Sequence, residues 1–326
     1  MSDYKKGETN AVVLAGMCTA LAVMLSMIGL YVPLFSSIVF LLIPLPIAYL
    51  GMKQGVRWSI IVTTGILILD SVFFGIISAA FLCAIFGVLG VIMGICYERK
   101  LPASYTLILG AIVVLASLIG EGFAALYLLN IQPLLFGGEA LDSMKAAMLE
   151  PLPQFYSGDA LTEAQANVSL LVESMAKALP FSVVGAAFFY SWASMTLGKM
   201  VFGRMGIKDI PVLPPLERWE MPKWSILLYA IGTGMQFIWP DNDTLSMVGY
   251  NLGLAGMMLF WLQGLAVLWW MPHRYRWMKP LRWLIALFSL FNAFLQMVMV
   301  FLGLFDMAIG YRKKRNYDDD FRKPLP

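Results

Sequence analysis

Apolar runs of about 20 residues follow one another along most of this 326-residue chain. That length suits a helix that crosses the hydrocarbon core of a bilayer, because each helical residue adds 1.5 Å. Only 13% of the residues are charged and 60% are hydrophobic, which is too little polarity to cover a soluble surface. The sequence therefore predicts an all-α, multi-pass integral membrane bundle of about eight to ten transmembrane helices.

The first part of the chain predicts six membrane helices. They cover residues 11–30, 35–50, 58–76, 78–96, 105–129 and 180–200. Pro44 and Pro46 should kink or interrupt the second of them. Residues 130–180 hold six acids and two bases, which predicts an acidic, partly helical external loop with short amphipathic helices at 143–149 and 162–179.

The second part predicts helices at 224–239 and 245–271, followed by an apolar stretch at 281–311. As one straight helix that stretch would be about 45 Å long, which exceeds a core of about 30 Å. Two short helices or a hairpin that breaks near Phe291 to Gln296 is the favoured interpretation, and one long tilted helix is the alternative. The predicted domains are a six-helix unit at 1–203, a cytoplasmic linker at 204–223, C-terminal transmembrane helices at 224–311 and a charged cytoplasmic tail at 312–326.

Positive charge sets the predicted orientation, because bases in short loops stay in the cytoplasm. With the N-terminus inside, the external loops hold only Lys145 and Lys177. The internal segments then carry Lys5, Lys6, Lys53, Arg57, Arg99, Lys100, Lys199, Arg204, Lys208, Arg218, Lys223, Arg274, Arg276, Lys279 and Arg282. The basic cluster from Arg312 to Arg315 favours a C-terminus inside as well.

Ionisable and amide side chains within the apolar runs are the candidates for a site, since such groups are costly in lipid and face a cavity or a partner. The candidates for substrate binding are Asp70, Glu121, Asn251, Gln263, Asn292 and Gln296. Hydrogen bonding between helices is the structural alternative for each. Asn292 and Gln296 would share one face if their segment is helical. Asp306 near the end of the last run could pair with Arg312.

Enzyme motifs are absent from the sequence, including GxxxxGK[ST], HExxH and GxSxG. His273 is the single histidine, and Cys18, Cys83 and Cys96 lie within apolar runs without metal-ligand spacing. We expect no catalysis, no cofactor, no metal site and no nucleic-acid partner. Small residues at helix-packing spacing, such as Gly87, Gly90 and Gly94, or Gly249 and Gly253, indicate either internal packing or a docking face.

Parts of the sequence resemble two known protein families. The first helix, AVVLAGMCTALAVML, and the proline-containing second helix, IPLPIAYLGMKQG, resemble the S component of energy-coupling-factor transporters. The segments LERWEMPKW at 216–224, GYNLGLAGMMLFWLQGLAVLWW at 249–270 and GLFDMAIGYRKKR at 303–315 resemble the YybS-like bacterial membrane proteins, a family of unknown function. The second resemblance implies a bacterial cytoplasmic membrane protein.

The S-component resemblance implies a small-molecule pocket that opens outward, and partners in a separate transmembrane scaffold and ATPase subunits. It also implies a partner-docking surface at Ala11 and Ala15 of the first helix. The leading hypothesis is a small-molecule-binding or transport-type subunit without its own ATPase, held in the lipid bilayer. The alternative is a membrane scaffold or regulatory partner without transport activity.

Overall fold

The computed structural model describes residues 2–132, 138–207, 209–273 and 275–314, and these residues form helices and turns without a β-strand. The chain divides into two compact units. Unit 1 comprises Met1–Phe155 and Ser182–Leu213, and unit 2 comprises Tyr156–Phe181 and Pro214–Pro326. The predicted all-α membrane fold is confirmed, because seven helices in the described residues are long and apolar enough to cross a bilayer.

Unit 1 is built from nine helices and the C-terminal part of a tenth. They are α1 (Ser2–Tyr31), α2 (Ser36–Phe40), α3 (Pro44–Gln54), α4 (Val56–Phe74), α5 (Ile76–Leu82), α6 (Val88–Glu98), α7 (Ala103–Leu128), α8 (Glu139–Leu149), α9 (Leu152–Phe155) and α10 (Asp159–Arg204). A π-helical turn, Cys83–Gly87, joins α5 to α6. The predicted interruption of the second span is confirmed: α2 ends at Phe40, and Pro44 opens α3, where its missing N–H costs nothing.

The glycines of α6 pack inside unit 1. A Cβ at Gly90 would lie 2.8 Å from the Pro44 carbonyl oxygen, and one at Gly94 would lie 3.1 Å from the Cα of Gly51 in α3. Backbones approach this closely only where side chains are missing, as is typical of helix pairs in lipid. The Gly87, Gly90 and Gly94 stripe is therefore an internal packing surface.

The predicted start of the sixth helix at Pro180 is wrong. The structure has one 46-residue helix, α10, with Pro180 in its interior, in place of an amphipathic helix at 162–179 and a separate membrane helix. The part of α10 up to Phe181 belongs to unit 2, and the part from Ser182 onward belongs to unit 1. A side chain from α12 repairs the backbone hydrogen bonding beside the proline, as described below.

Unit 2 contains four further long helices and one short one. They are α11 (Ser225–Ile238), α12 (Asp243–Trp270), α13 (Met278–Phe291), α14 (Ala293–Ile309) and α15 (Tyr311–Lys314). The predicted break in the last apolar stretch is confirmed at Asn292, where α13 and α14 meet at a bend of 114°. If this bent pair counts as one span, the candidate spans number eight, and α11 is a shorter apolar helix.

Glycines also join the helices of unit 2. Gly249 and Gly253 of α12 face Gly232 of α11, so this predicted stripe is an internal contact. On another side of α12, Gly264 lies against Gly303 of α14, and a Cβ at Gly303 would fall on the Phe260 carbonyl oxygen. The close helix contacts of α12 therefore depend on residues without side chains.

Several predictions fall outside the described residues. They concern residues 133–137 of the acidic loop, the bases Lys208 and Arg274, and the charged tail from Arg315 onward. The side of the membrane on which each terminus lies also stays a prediction.

Candidate functional site

Asp70 belongs to the buried face of α4. The buried residues of this helix are Ser59, Val62, Ile66 and Asp70, spaced at helical intervals on one stripe, while neighbours such as Val72 are exposed. The carboxyl group thus occupies a position on the buried stripe of α4 where an aliphatic side chain such as Val62 or Ile66 would be expected. Asp70 lies four residues before the end of α4 at Phe74, about 6 Å along the axis, so it is nearer the helix end than the sequence predicted.

No described group satisfies the Asp70 carboxyl group. The side chain is fully buried, and neither carboxyl oxygen has a hydrogen-bond partner. The buried Ser26 hydroxyl of α1 lies beside it. That hydroxyl has one proton, and it donates this proton to the Ala22 carbonyl at 3.1 Å. The one hydroxyl within reach of Asp70 in the packed interior of unit 1 is therefore shared with a backbone carbonyl.

The π-helical turn contributes a third polar group near this position. Cys83, the first residue of the turn, is buried and lies within electrostatic range of Asp70. Its thiol points toward the Thr63 carbonyl, 3.9 Å away. Single π-helical turns often occur at functional sites in proteins. The sequence interpretation missed Ser26 and treated Cys83 only as a core residue, and neither residue has a sequence motif that would mark it.

Glu121 is the second acid of unit 1. It lies on α7, is half buried, and its Oε1 is buried without a hydrogen-bond partner. One candidate span, Ile76–Glu98, separates α4 from α7, so these two helices run in the same direction. Both acids lie toward the C-terminal ends of their helices and hence toward the same end of unit 1. No hydrogen bond joins Asp70 to Glu121.

Asn251 has a structural position in unit 2. Its Oδ1 accepts the Phe181 N–H at 2.8 Å, and its Nδ2 donates to the Lys177 carbonyl at 2.7 Å. In an uninterrupted helix this N–H and this carbonyl would bond to each other. The amide of Asn251 thus bridges the backbone gap beside Pro180, and this contact explains why α10 continues through a proline.

Gln263, Asp306 and Arg312 form a buried network, which we call the Arg312 network. Asp306 Oδ2 accepts from Arg312 Nε at 2.8 Å and from Gln263 Nε2 at 2.6 Å. Arg312 also donates to the carbonyls of Glu217 and Trp219, at 2.7 and 2.8 Å. The predicted pairing of Asp306 with Arg312 is confirmed, and Gln263 is a structural member of the same cluster.

The network connects three separate parts of the chain. Gln263 Oε1 accepts the Met221 N–H at 2.8 Å, so the segment before α11 is tied to α12 as well as to Arg312. Met278, which opens α13, packs in one apolar cluster with Leu216. The end of the chain after α14 therefore lies beside Glu217 and Trp219, and the start of α13 belongs to the same apolar cluster as the neighbouring Leu216.

The remaining two amides do not form a site. Asn292 is not helical, with φ −116° and ψ 114°, and its side chain caps α14 by accepting the Leu295 N–H at 3.0 Å. The condition under which Asn292 and Gln296 would share a helical face is not met, because α14 begins only after Asn292. Gln296 is exposed in the first turn of α14.

The implied docking surface in α1 is not exposed. Ala11 and Ala15 are 2% and 6% exposed, and Ala15 belongs to an apolar cluster with Ile47 of α3 and Val62 of α4. These alanines permit close packing within unit 1. A partner subunit could not contact them in this conformation.

The helical fold, the buried acids of unit 1 and the buried ionic network of unit 2 define a multi-pass membrane protein. Residues 20–307 match the family described as "Predicted membrane protein (DUF2232)", and the chain belongs to that family. It is 22% identical over 319 residues to "Uncharacterized protein YybS" of Bacillus subtilis (strain 168), an alignment that covers 94% of this chain and 99% of the relative. No solved structure matches the chain.

The comparisons confirm the resemblance to the YybS-like proteins, whereas the resemblance to S components stays a prediction. The three segments that carry the confirmed resemblance are distant in sequence, yet each contributes to the Arg312 network. Residues 216–224 supply the carbonyls and the Met221 N–H, residues 249–270 supply Gln263, and residues 303–315 supply the ion pair.

Proposed function

We propose that this chain is a small-molecule-binding, transport-type membrane subunit without its own ATPase, and that Asp70 binds its solute. The observation that carries the proposal is the fully buried Asp70 carboxyl group without a hydrogen-bond partner. Native proteins satisfy buried polar groups almost completely, and an unsatisfied one calls for an explanation such as an absent ligand. In a membrane interior an ionised carboxylate needs a cation or several donors.

The chemistry of Asp70 defines the class of solute. A carboxyl group recognises a cation or a group with N–H or O–H donors. Ser26 adds a hydroxyl beside it, and the Cys83 thiol lies within electrostatic range of it. We therefore expect a small solute that carries an amine, an ammonium or an amide, and the chain itself carries out no catalysis. If the S-component resemblance holds, a separate scaffold and ATPase subunits supply the energy.

The test is a thermal-stability screen of the purified full chain with sodium and potassium chloride, primary amines, quaternary ammonium ions and amides. A bound solute at about 100 times its Kd stabilises the native state by about 2.7 kcal/mol. We expect one class to raise the Tm of the wild type but not of Asp70→Asn. Asp159→Asn is the matched control, because Asp159 is an exposed acid at the start of α10, and it should respond like the wild type.

The stability of the solute-free variants separates binding from structure. An unused carboxyl group contributes nothing to the fold, so Asp70→Asn and Asp70→Leu should be as stable as the wild type or more stable. If both variants unfold, or if no solute distinguishes the wild type from Asp70→Asn, then Asp70 is a packing residue and the proposal fails.

A membrane scaffold or regulatory partner without transport activity is the second candidate. The observation that favours it is that the half-buried Asn251 and the buried Gln263 of unit 2 both join helices and connecting segments through hydrogen bonds. Copurification from native membranes distinguishes the two candidates. A scaffold and ATPase subunits would accompany a transport-type subunit, whereas a scaffold protein would bring other membrane proteins and bind no solute.

The proposed location is the bacterial cytoplasmic membrane, with both termini in the cytoplasm. The positive-inside rule supports a cytoplasmic location for the linker at 204–223. The contacts of Arg312 with the Glu217 and Trp219 carbonyls support a location of the C-terminal end of α14 on the same side. Cysteines introduced at Lys223 and Lys314 should both react from the cytoplasm, and one at Asp241 from outside. The three native cysteines are buried and give little background. Labelling of Lys314→Cys from outside would contradict this orientation.

A further inference from the structure

The corner between α12 and α13 is basic and contains no acid. Between Asp243 and Asp306 the chain has no acidic residue, and every base of that stretch falls within residues 273–282. The corner joins the ends of two apolar helices. Its exposed Tyr275 and Trp277 are of the residue types that are enriched at the depth of the lipid headgroups. The sequence of this corner therefore concentrates positive charge where two apolar helices end.

Two tryptophans pack against the side chain of Arg282 within this corner. Its guanidinium lies over the rings of Trp269 and Trp283, with distances of 5.4 and 5.9 Å from its Cζ to the ring centroids. The two indoles contact each other edge to face, 4.9 Å apart. Two aromatic rings therefore hold the side chain in place, one from the end of α12 and one from the first turns of α13.

The hydrogen-bonding capacity of this arginine is unused. Its Nε is buried without a partner, and the guanidinium makes no hydrogen bond or ion pair with any residue that the structure describes. A guanidinium has five N–H donors in a planar fork and no acceptor, so its complement is a multi-oxygen anion such as a phosphate. Arg312, the buried arginine of the same unit, contrasts with it because its donors bind a carboxylate and two carbonyls.

We propose that Arg282, held between Trp269 and Trp283, binds the phosphate of an anionic phospholipid. The occupant is a lipid because Trp283, beside the guanidinium, is 63% exposed, and Trp277, directly before α13, is 66% exposed. Exposed indoles at the ends of apolar helices are typical of the depth at which acyl chains and headgroups meet. Arg276 and Lys279 are exposed cations that attract the same headgroup without fixing it. The inference is independent of the solute proposed for Asp70.

The test uses the purified, delipidated full chain with vesicles of phosphatidylglycerol or phosphatidylcholine, and native mass spectrometry to count retained lipid. Arg282→Gln should weaken retention of phosphatidylglycerol roughly tenfold, as expected for loss of a charge-assisted hydrogen bond. Arg276→Gln is the matched control at the same corner, and it should weaken retention by about fivefold or less. The effect of Arg276→Gln should also fade at high salt, because exposed charges are screened, whereas the effect of Arg282→Gln should persist.

Three outcomes would overturn the proposal. Equal, salt-sensitive losses in both variants would show only general electrostatic attraction. Equal retention of phosphatidylglycerol and phosphatidylcholine by the wild type would show no headgroup preference. Competition by millimolar inorganic phosphate would show a site for soluble anions. Should Arg282→Gln fail to fold, Arg282→Lys keeps the charge but not the planar fork, and wild-type retention by that variant would also contradict the proposal.

Discussion

Replacement of Arg312 by alanine removes the donor at the centre of the Arg312 network. The Asp306 side chain is 5% exposed, and it would keep only the Gln263 amide as a side-chain donor. The carbonyls of Glu217 and Trp219 would lose their charged donor as well. Removal of one partner of a buried ion pair typically costs 3–5 kcal/mol, because the other charge stays buried without compensation. We expect a loss of about 4 kcal/mol in the unfolding free energy of unit 2.

A double-mutant cycle tests whether this cost belongs to the pair. The single variants of the cycle are Arg312→Met and Asp306→Leu. Each should cost about as much as Arg312→Ala, because each leaves one buried charge unpaired. Asp306→Leu combined with Arg312→Met replaces the pair by apolar side chains and should cost less than either single change. We expect a coupling energy of about 2 kcal/mol or more between the two positions. Arg57→Ala is the control, since Arg57 is an exposed arginine of unit 1.

Tryptophan fluorescence during denaturation in mixed micelles gives the measurement. Trp58 and Trp192 belong to unit 1, and the other eight of the ten tryptophans belong to unit 2. The signal therefore reports mainly the unit that contains the network. If Arg312→Ala unfolds at the same denaturant concentration as Arg57→Ala, or if the single costs simply add in the double variant, the reasoning is refuted.

Two further predictions concern helix contacts of unit 2. Gly303→Ala should lower stability by about 1–3 kcal/mol, since its methyl group would meet the Phe260 carbonyl. Gly234→Ala, with open space around its Cβ, should be neutral or stabilising, and equal thermal-denaturation midpoints for the two variants would contradict this. Asn251→Ala should cost about 1–3 kcal/mol, because the Phe181 N–H and the Lys177 carbonyl lose their partner. In a Pro180→Ala background the cost should shrink as the helix recovers its own bond, and an unchanged cost would argue against the bridging role.

Some features of this fold follow from short-range rules and were predictable. Pro44 opens a helix because proline is accepted in the first turn, and the last apolar stretch breaks because a straight helix would exceed the bilayer. The Asp306–Arg312 pair is also local, since six residues separate its members across the end of α14. The charge of Asp306 at a helix C-terminus requires a nearby cation.

The functions of the buried polar residues were not predictable from their positions in apolar runs. Asn251, Gln263 and Asp70 look alike in the sequence, because each is an amide or acid within a hydrophobic helix. In the structure, the first bridges a proline gap 70 residues away, and the second joins an ion pair 43 residues away. Of these three residues, Asp70 is the one whose side-chain oxygens have no hydrogen-bond partner.

The sequence by itself determined that the chain is helical, lies in the membrane and crosses it many times, because these properties depend on hydrophobic length and charge. The tertiary structure decided which polar groups are satisfied, that α10 continues through Pro180, and that Arg282 lies between two tryptophans. Those outcomes depend on which helix faces which. A hydrogen bond or ring contact between distant segments leaves no periodic pattern in the sequence of either partner.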